Sequence, residues 1–151
     1  MIAVTGATGQ LGKLVIARLS KKVPAHQIVA VVRNAAKASS SVPRGVNVRQ
    51  ASYEDVAALK KAFGGVEKLL LISSSEVGKR EAQHRNVIEA AGHAGVKFIA
   101  YTSLLKANTS PLSLASEHLA TETSSGHPAF PSPFCAMAGI TKTTLPLRQP
   151  P

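Results

Sequence analysis

Short apolar runs alternate with longer amphipathic stretches along the first 122 residues of the chain. Met1 to Thr5 reads MIAVT, a β-branched run ending in glycines, and predicts a buried first strand. From Gly9 onward Leu11, Leu14, Val15 and Leu19 recur at helical spacing, until Lys21, Lys22 and Pro24 supply a cationic last turn and a breaker. Gln27 to Arg33 (QIVAVVR) is the next buried strand, and VNVRQA is a third, short one. Tyr53 to Phe63 reads as a helix with Val56, Leu59, Lys60 and Phe63 on one face, closed by Gly64 and Gly65. Val66 to Ser74 predicts a fourth strand, Gln83 to Ala94 a crossover helix, and Val96 to Ser103 a fifth strand. Ala35 to Ser41 is a loop or a short helix.

Strands alternating with helices at these lengths imply right-handed crossovers and a parallel sheet covered on both faces. The fold class is therefore α/β, a doubly wound parallel sheet of Rossmann-like type. Residues 123–151 differ in character. They hold six of the nine prolines, no acidic residue and no periodic apolar pattern, which argues against a helix or an interior strand there. The expected division is a dinucleotide-binding domain over 1–122, incomplete at its C-terminal side, and an irregular tail over 123–151.

At 151 residues with 44% hydrophobic content the chain is long enough for one buried core and too short for a two-domain enzyme. No apolar run is long enough to span a membrane and no secretory signal opens the sequence, so the expected location is cytoplasmic. The single cysteine, Cys135, excludes an intramolecular disulfide, and no Cys/His spacing points to a metal. The net charge of +10 permits nucleic-acid binding. Its distribution argues against it. Lys21-Lys22, Lys60-Lys61 and Lys79-Arg80 are scattered pairs, and no basic stripe carries interleaved aromatics. Solvated surface charge accounts for it.

Thr5 to Gly12, TGATGQLG, lies between the first strand and the first helix. Gly6 permits a tight turn, Gly9 lets backbone approach a diphosphate, and Gly12 lets helix and strand pack closely. The helix N-terminus favours the phosphate charge. The spacing is G-x-x-G-x-x-G, and glycines also serve turns that bind nothing; the strand before and helix after raise the weight of the motif. At the end of the second strand, where a carboxylate would select NAD, stands Arg33, followed by Lys37. An arginine fork pairs with phosphate, so NADP(H) is the expected cofactor.

These residues resemble the NmrA-like group of atypical short-chain dehydrogenase/reductases, and within it the bacterial type 2 NAD(P)H:quinone oxidoreductases. The likeness runs over Met1 to Glu122 and is carried by TGATGQLG, QIVAVVRN, VEKLLLISSSEVGKR, QHRNVIEAAGHAGVKFIAYTSLL and SPLSLASEHLATE. It implies hydride transfer from NADPH to a quinone, with the quinone pocket completed by a C-terminal region beyond this stretch. By that resemblance Gly6, Thr8, Gly9, Gln10, Leu11 and Gly12 cradle the diphosphate, and Arg33 and Lys37 face the 2′-phosphate. Ser73 and Ser74 line the cofactor after the fourth strand, and Tyr101, Thr102 and Ser103 lie beside the nicotinamide. Related chains often carry an acidic residue where this one has Ser52. The Tyr-x-x-x-Lys pair of the wider superfamily is missing, since Leu105 follows Tyr101 at that spacing. No catalytic residue is assigned. His84 and His118 are possible proton donors, with packing or surface histidines the plainer reading. Ser73 to Ser75 read as loop hydroxyls in the absence of a paired base. Alternatives to a quinone reductase are an NmrA-type sensor that binds dinucleotide without turnover, and an inactive fragment. Neither a particular quinone nor an oligomeric state follows.

Read from one nucleotide earlier, with third bases free, the tail spells a different segment. Ala129 to Pro133 yield Ile-Pro-Phe-Thr, Phe134 and Cys135 yield Leu, Leu and Arg, and Ala136 to Gly139 yield Asn, Gly and Trp. Ile140 to Thr144 continue as Tyr, Tyr, Glu, Asn and Tyr. The run IPFTLLRNGWYYENY resembles the family's continuation, so residues 123–151 are expected to be out of frame after a base lost near the codon for Thr123. The sixth strand would then be absent and the sheet would end on an uncovered edge.

Overall fold

The structure, a computed structural model, describes residues 1–38 and 40–124 and the backbone of 134–138. The elements are β1 (Ile2–Val4), α1 (Gln10–Leu19), β2 (Ile28–Val32), β3 (Asn47–Gln50), α2 (Val56–Ala62), β4 (Lys68–Leu71), α3 (Arg80–His93), β5 (Phe98–Ser103), α4 (Ala115–Ser124) and β6 (Phe134–Ala138). Single 3-10 turns occupy Ala25–Gln27 and Ala35–Lys37.

The strands form one parallel sheet in the order β3-β2-β1-β4-β5-β6. After β3 the chain crosses to the other side of β1, so the order reverses at β1 and β4. In open α/β sheets that reversal opens a crevice at the carboxyl ends of the strands. β2 is buried along its whole length, and its two faces feed two cores. Val29 and Val31 pack with Leu59, Phe63, Leu69, Leu71, Val87 and Ile99 under α2 and α3. Ile28, Ala30 and Val32 pack with Val4 and Ile16 under α1. The period-two alternation of a strand explains the split.

Helix starts follow local chemistry. α2 begins at Val56 and not at Tyr53, because Asp55 caps it by accepting the Ala58 N–H at 2.9 Å. α3 begins three residues before Gln83, and the fourth and fifth strands are each shorter than their apolar runs. In α1 the buried face is carried by Gly12 and Ile16, whereas Leu14 is 66% exposed. The apolar spacing that includes Leu14 is therefore corrected. Gly12 has no side chain, so the helix sits on the glycine turn along that line and Leu14 rotates outward.

At the C-terminal side α4 runs through Thr123 and Ser124, and the expectation that the sheet lacks a sixth strand is corrected. A sixth strand is present: Phe134–Ala138 pairs in parallel with β5 from Ile99↔Phe134 to Ser103↔Ala138. The segment FCAMA is apolar and free of proline, and the outer edge of β5 offers a row of unpaired backbone groups, so pairing needs no wider periodicity. The other residues of the tail, where the out-of-frame reading also falls, lie outside the described residues.

Candidate dinucleotide site at the carboxyl edge of the sheet

The turn after β1 is built by backbone geometry. Gly6 adopts φ +58°, a region that disfavours any side chain, and the Gly9 N–H closes the turn on the Gly6 carbonyl at 2.9 Å. A Cβ on Gly12 would stand 2.3 Å from the Gly6 oxygen and 2.7 Å from the Ala7 Cα, so α1 rests directly on the turn. Gly9 is the N-cap of α1, no side chain caps that end, and no acidic residue occupies its first turn. The first-turn N–H groups of a helix have no intrahelical acceptor, and here the cap leaves them to a ligand. Thr8 and Leu11 are half-buried, and Gly9 and Gln10 are exposed at this rim. The cradle fits a diphosphate: open donors, positive dipole end, and backbone that a side chain would obstruct.

Thr5 locks the floor of the crevice. Its hydroxyl accepts the Ile72 N–H at 3.0 Å and its own N–H donates to the Leu70 carbonyl at 3.0 Å, tying the end of β1 to β4. Tyr53 closes the side by donating its hydroxyl to the Ile72 carbonyl at 2.8 Å, and burial keeps that phenol protonated. Across β1, Arg33 follows β2. Its exposed guanidinium pairs with the Glu76 carboxylate at 3.1 Å. Lys37 is exposed in the next turn, which is fixed by Asn34 Oδ1 accepting the Ala36 N–H at 2.9 Å.

The β4–α3 loop is held from three directions. The Ser73 N–H donates to Thr102 Oγ1 at 2.9 Å, the Ser74 N–H donates to His84 Nε2 at 2.9 Å, and Arg80 Nε donates to the Ser74 carbonyl at 2.8 Å. Because an N–H can only donate, His84 Nε2 carries no proton and the ring hydrogen is on Nδ1. That hydrogen points at Thr121 Oγ1, 3.0 Å away, whose own hydrogen goes to the Glu117 carbonyl at 2.9 Å. His84 is fully buried, and burial, reinforced by the Arg80 cation, lowers its pKa to about 3. It is a neutral acceptor that braces Ser74. The plainer reading of this histidine as a packed residue agrees with that geometry.

At the end of β5 the three adjacent residues have different fates. Tyr101 is fully buried, its hydroxyl lies 2.7 Å from His118 Nδ1, and burial pushes its pKa up to about 12. Burial also lowers the pKa of His118, the partner of that phenol. The Ser103 hydroxyl donates to the Glu122 carboxylate. Thr102 is half-buried beside Ser73. Tyr101 and Ser103 thus face the seam under α4, where Arg80 also meets Glu117, and Glu117 Oε1 accepts the Gly78 N–H at 2.7 Å. The structure therefore brings the glycine turn, Arg33, Ser73, Ser74 and Thr102 to one edge, and holds the side chains of Tyr101 and Ser103 beneath it.

Glu76, Tyr53, Gln83, Arg80 and Thr121 were not singled out by the sequence, since no spacing rule links residues joined only by the sheet order. Two open surface grooves, one between α3 and α4 beside Leu119 and one beside α2 and Arg49, lie on helix faces away from the turn. Among the described residues no group of three His, Cys, Asp or Glu could hold a metal ion, and no helix is long and apolar enough to cross a membrane.

A reversal crevice with a glycine turn at an uncapped helix start defines a dinucleotide-binding domain of the doubly wound class. A family model described as NAD(P)H-binding matches residues 6–124, and the chain belongs to that family. It is 70% identical over 122 residues to quinone oxidoreductase 2 of Escherichia coli (strain K12), covering 81% of this chain and 43% of that protein. It is 40% identical over 126 residues to an NmrA-like family domain-containing oxidoreductase of Aspergillus flavus, covering 79% of this chain and 41% of that one. Among solved structures, the Escherichia coli NADPH-dependent quinone oxidoreductase complexed with NADPH superposes with a TM-score of 0.84 at 62% identity, covering 91% of this chain and 48% of that chain. The Citrobacter sp. triphenylmethane reductase complexed with NADP(H) gives 0.83 at 51% identity, covering 89% and 48%. The chain spans less than half the length of these relatives.

Proposed function

We propose that this chain is the NADPH-binding part of a quinone reductase. The observation that carries the proposal is the uncapped start of α1 on a turn where Gly12 leaves no room for a Cβ, with Arg33 across the crevice. In this reading Gly6, Thr8, Gly9, Gln10, Leu11 and Gly12 hold the diphosphate, and Arg33 and Lys37 take the 2′-phosphate. Ser73, Ser74 and Thr102 line the side toward the nicotinamide, with Tyr101 and Ser103 fixing the end of β5 from below. Bound NADPH supplies the hydride, and a quinone accepts it. The chain's own residues bind and orient. His84 is buried and held neutral, so it does not serve as the acid, and His118 is occupied by the Tyr101 hydroxyl beneath the edge. A cytoplasmic setting belongs to the same reading; residues 1–122 carry no cysteine that could form a disulfide.

The test is affinity followed by turnover. Arg33→Asp should weaken NADPH binding far more than NADH binding, and equal loss for both would overturn the role of Arg33. Quinone-dependent oxidation of NADPH by a form extended to the relatives' length supports the reductase. NADPH binding without oxidation in that form supports the second reading, an NmrA-type sensor. An upward shift of cooperative thermal unfolding by NADPH counts against an inactive fragment.

The proposed division keeps residues 1–122 as the NAD(P)-binding domain and 123–151 as an out-of-frame tail. It is supported by the tail's lack of acidic residues and by the hidden run, whose Leu-Leu-Arg-Asn falls on the β6 stretch. Sequencing the coding DNA across codons 118–130 tests it: a missing base supports the frame shift, and bases that stand as translated overturn it.

A further inference from the structure

Arg33 and Glu76 come from opposite sides of β1. Arg33 follows β2 and Glu76 lies in the loop after β4, and β2 and β4 flank β1 in the sheet. Neighbouring strands lie about 4.8 Å apart, so the two flanking strands are separated by about 10 Å, a gap that an arginine and a glutamate bridge together. Their ion pair spans the crevice at the end of β1, where the glycine turn receives a diphosphate.

Glu76 is a placed carboxylate. Its Oε2 accepts from Gln83 Nε2 at 3.1 Å, its N–H donates to Ser74 Oγ at 3.2 Å, and its Oε1 meets Arg33 Nη1 at 3.1 Å. Gln83 is buried, and its amide is oriented by two carboxylates, Glu76 and Glu54, because only the NH2 end can donate to them. Glu54 Oε1 is the second acceptor of the Gln83 amide, at 3.4 Å. Arg33 is bound through one Nη1 contact and not as a fork, and its side chain is 75% exposed. Such a pair is weak and exchangeable, whereas a phosphate dianion offers several oxygens to the guanidinium.

We infer that Glu76 is a specificity-determining residue: its carboxylate occupies the guanidinium of Arg33 in the place that the 2′-phosphate of a nucleotide takes, and competes with it. The inference rests on the proposed role of Arg33. A nucleotide without a 2′-phosphate leaves the pair in place, so Glu76 sets the gap between the two cofactors' affinities without touching the diphosphate cradle.

The experiment titrates the 151-residue chain with NADPH and with NADH, following nicotinamide fluorescence at low ionic strength. The parent is compared with Glu76→Gln, Arg33→Ala and the double variant. Glu76→Gln should bind NADPH about two- to fivefold more tightly, the range set by an exposed ion pair, and NADH within about twofold of the parent. The gain should vanish in the Arg33→Ala background and shrink in high salt. Unchanged or weaker NADPH binding by Glu76→Gln, or an equal gain without Arg33, would overturn the role of Glu76 alone. An Arg33→Ala variant that binds NADPH as tightly as the parent, or a parent that binds no NADPH, would overturn the underlying reading instead.

Discussion

Acid should expose the cost of keeping His84 neutral. Its ordinary pKa of 6.5 applies in the unfolded chain, and in the fold burial and the Arg80 cation lower it to about 3. Between those values the unfolded chain takes up a proton that the folded chain refuses. Stability from this group is complete above pH 6.5 and is lost as pH falls toward 3, with a slope of about 1.4 kcal/mol per pH unit. At pH 4.5, two units below the unfolded value, the loss is about 2 to 3 kcal/mol. The groups facing the ring are Arg80, His118, Tyr53 and Tyr101. His118 is shifted in the same direction, so the parent alone does not isolate His84. Glutamine at 84 carries an amide oxygen that can accept the Ser74 N–H and has no titration in this range. Urea unfolding followed by far-UV circular dichroism at pH 7.5 and 4.5 gives the comparison. The parent should lose about 2 to 3 kcal/mol more than His84→Gln over that interval. Equal losses would refute the assignment of a neutral, bracing histidine.

Other consequences are local. Gly12→Ala places a Cβ 2.3 Å from the Gly6 carbonyl oxygen, so turn and helix must separate; a stability loss of about 1–3 kcal/mol with abolished NADPH binding is expected by denaturation and fluorescence. Glu117→Gln removes one charge from a pair in which Arg80 is 6% exposed. Leaving that guanidinium uncompensated should cost about 3–5 kcal/mol in urea unfolding, and a change under 1 kcal/mol would contradict the burial.

The elements that the pattern made legible are those whose local and global demands agree. β2 is apolar throughout because it is covered on both faces, and the Gly6 to Gly12 spacing announced a turn whose φ and close approach admit no side chain. Leu14 misled because periodicity does not register that Gly12 presses the helix onto the turn at that point. β6 was illegible for a different reason: an edge strand of five residues needs only a free partner edge, which a local pattern does not reveal. Within the candidate site, the position of the glycine turn after the first strand and of Arg33 after the second was legible, each from its neighbours in the chain. The partners that hold them were not. Arg33 to Glu76 spans 43 positions and His84 to Thr121 spans 37, and only the strand order brings such residues together. The neutrality of His84 was equally hidden, since burial causes it.

The most direct test of the central claim is calorimetric titration of the 151-residue chain with NADPH and NADH, in parallel with Arg33→Asp. NADPH should bind saturably and markedly more tightly than NADH in the parent, and fall to the NADH level in the variant. No binding, or equal affinity for the two nucleotides in the parent, would contradict it.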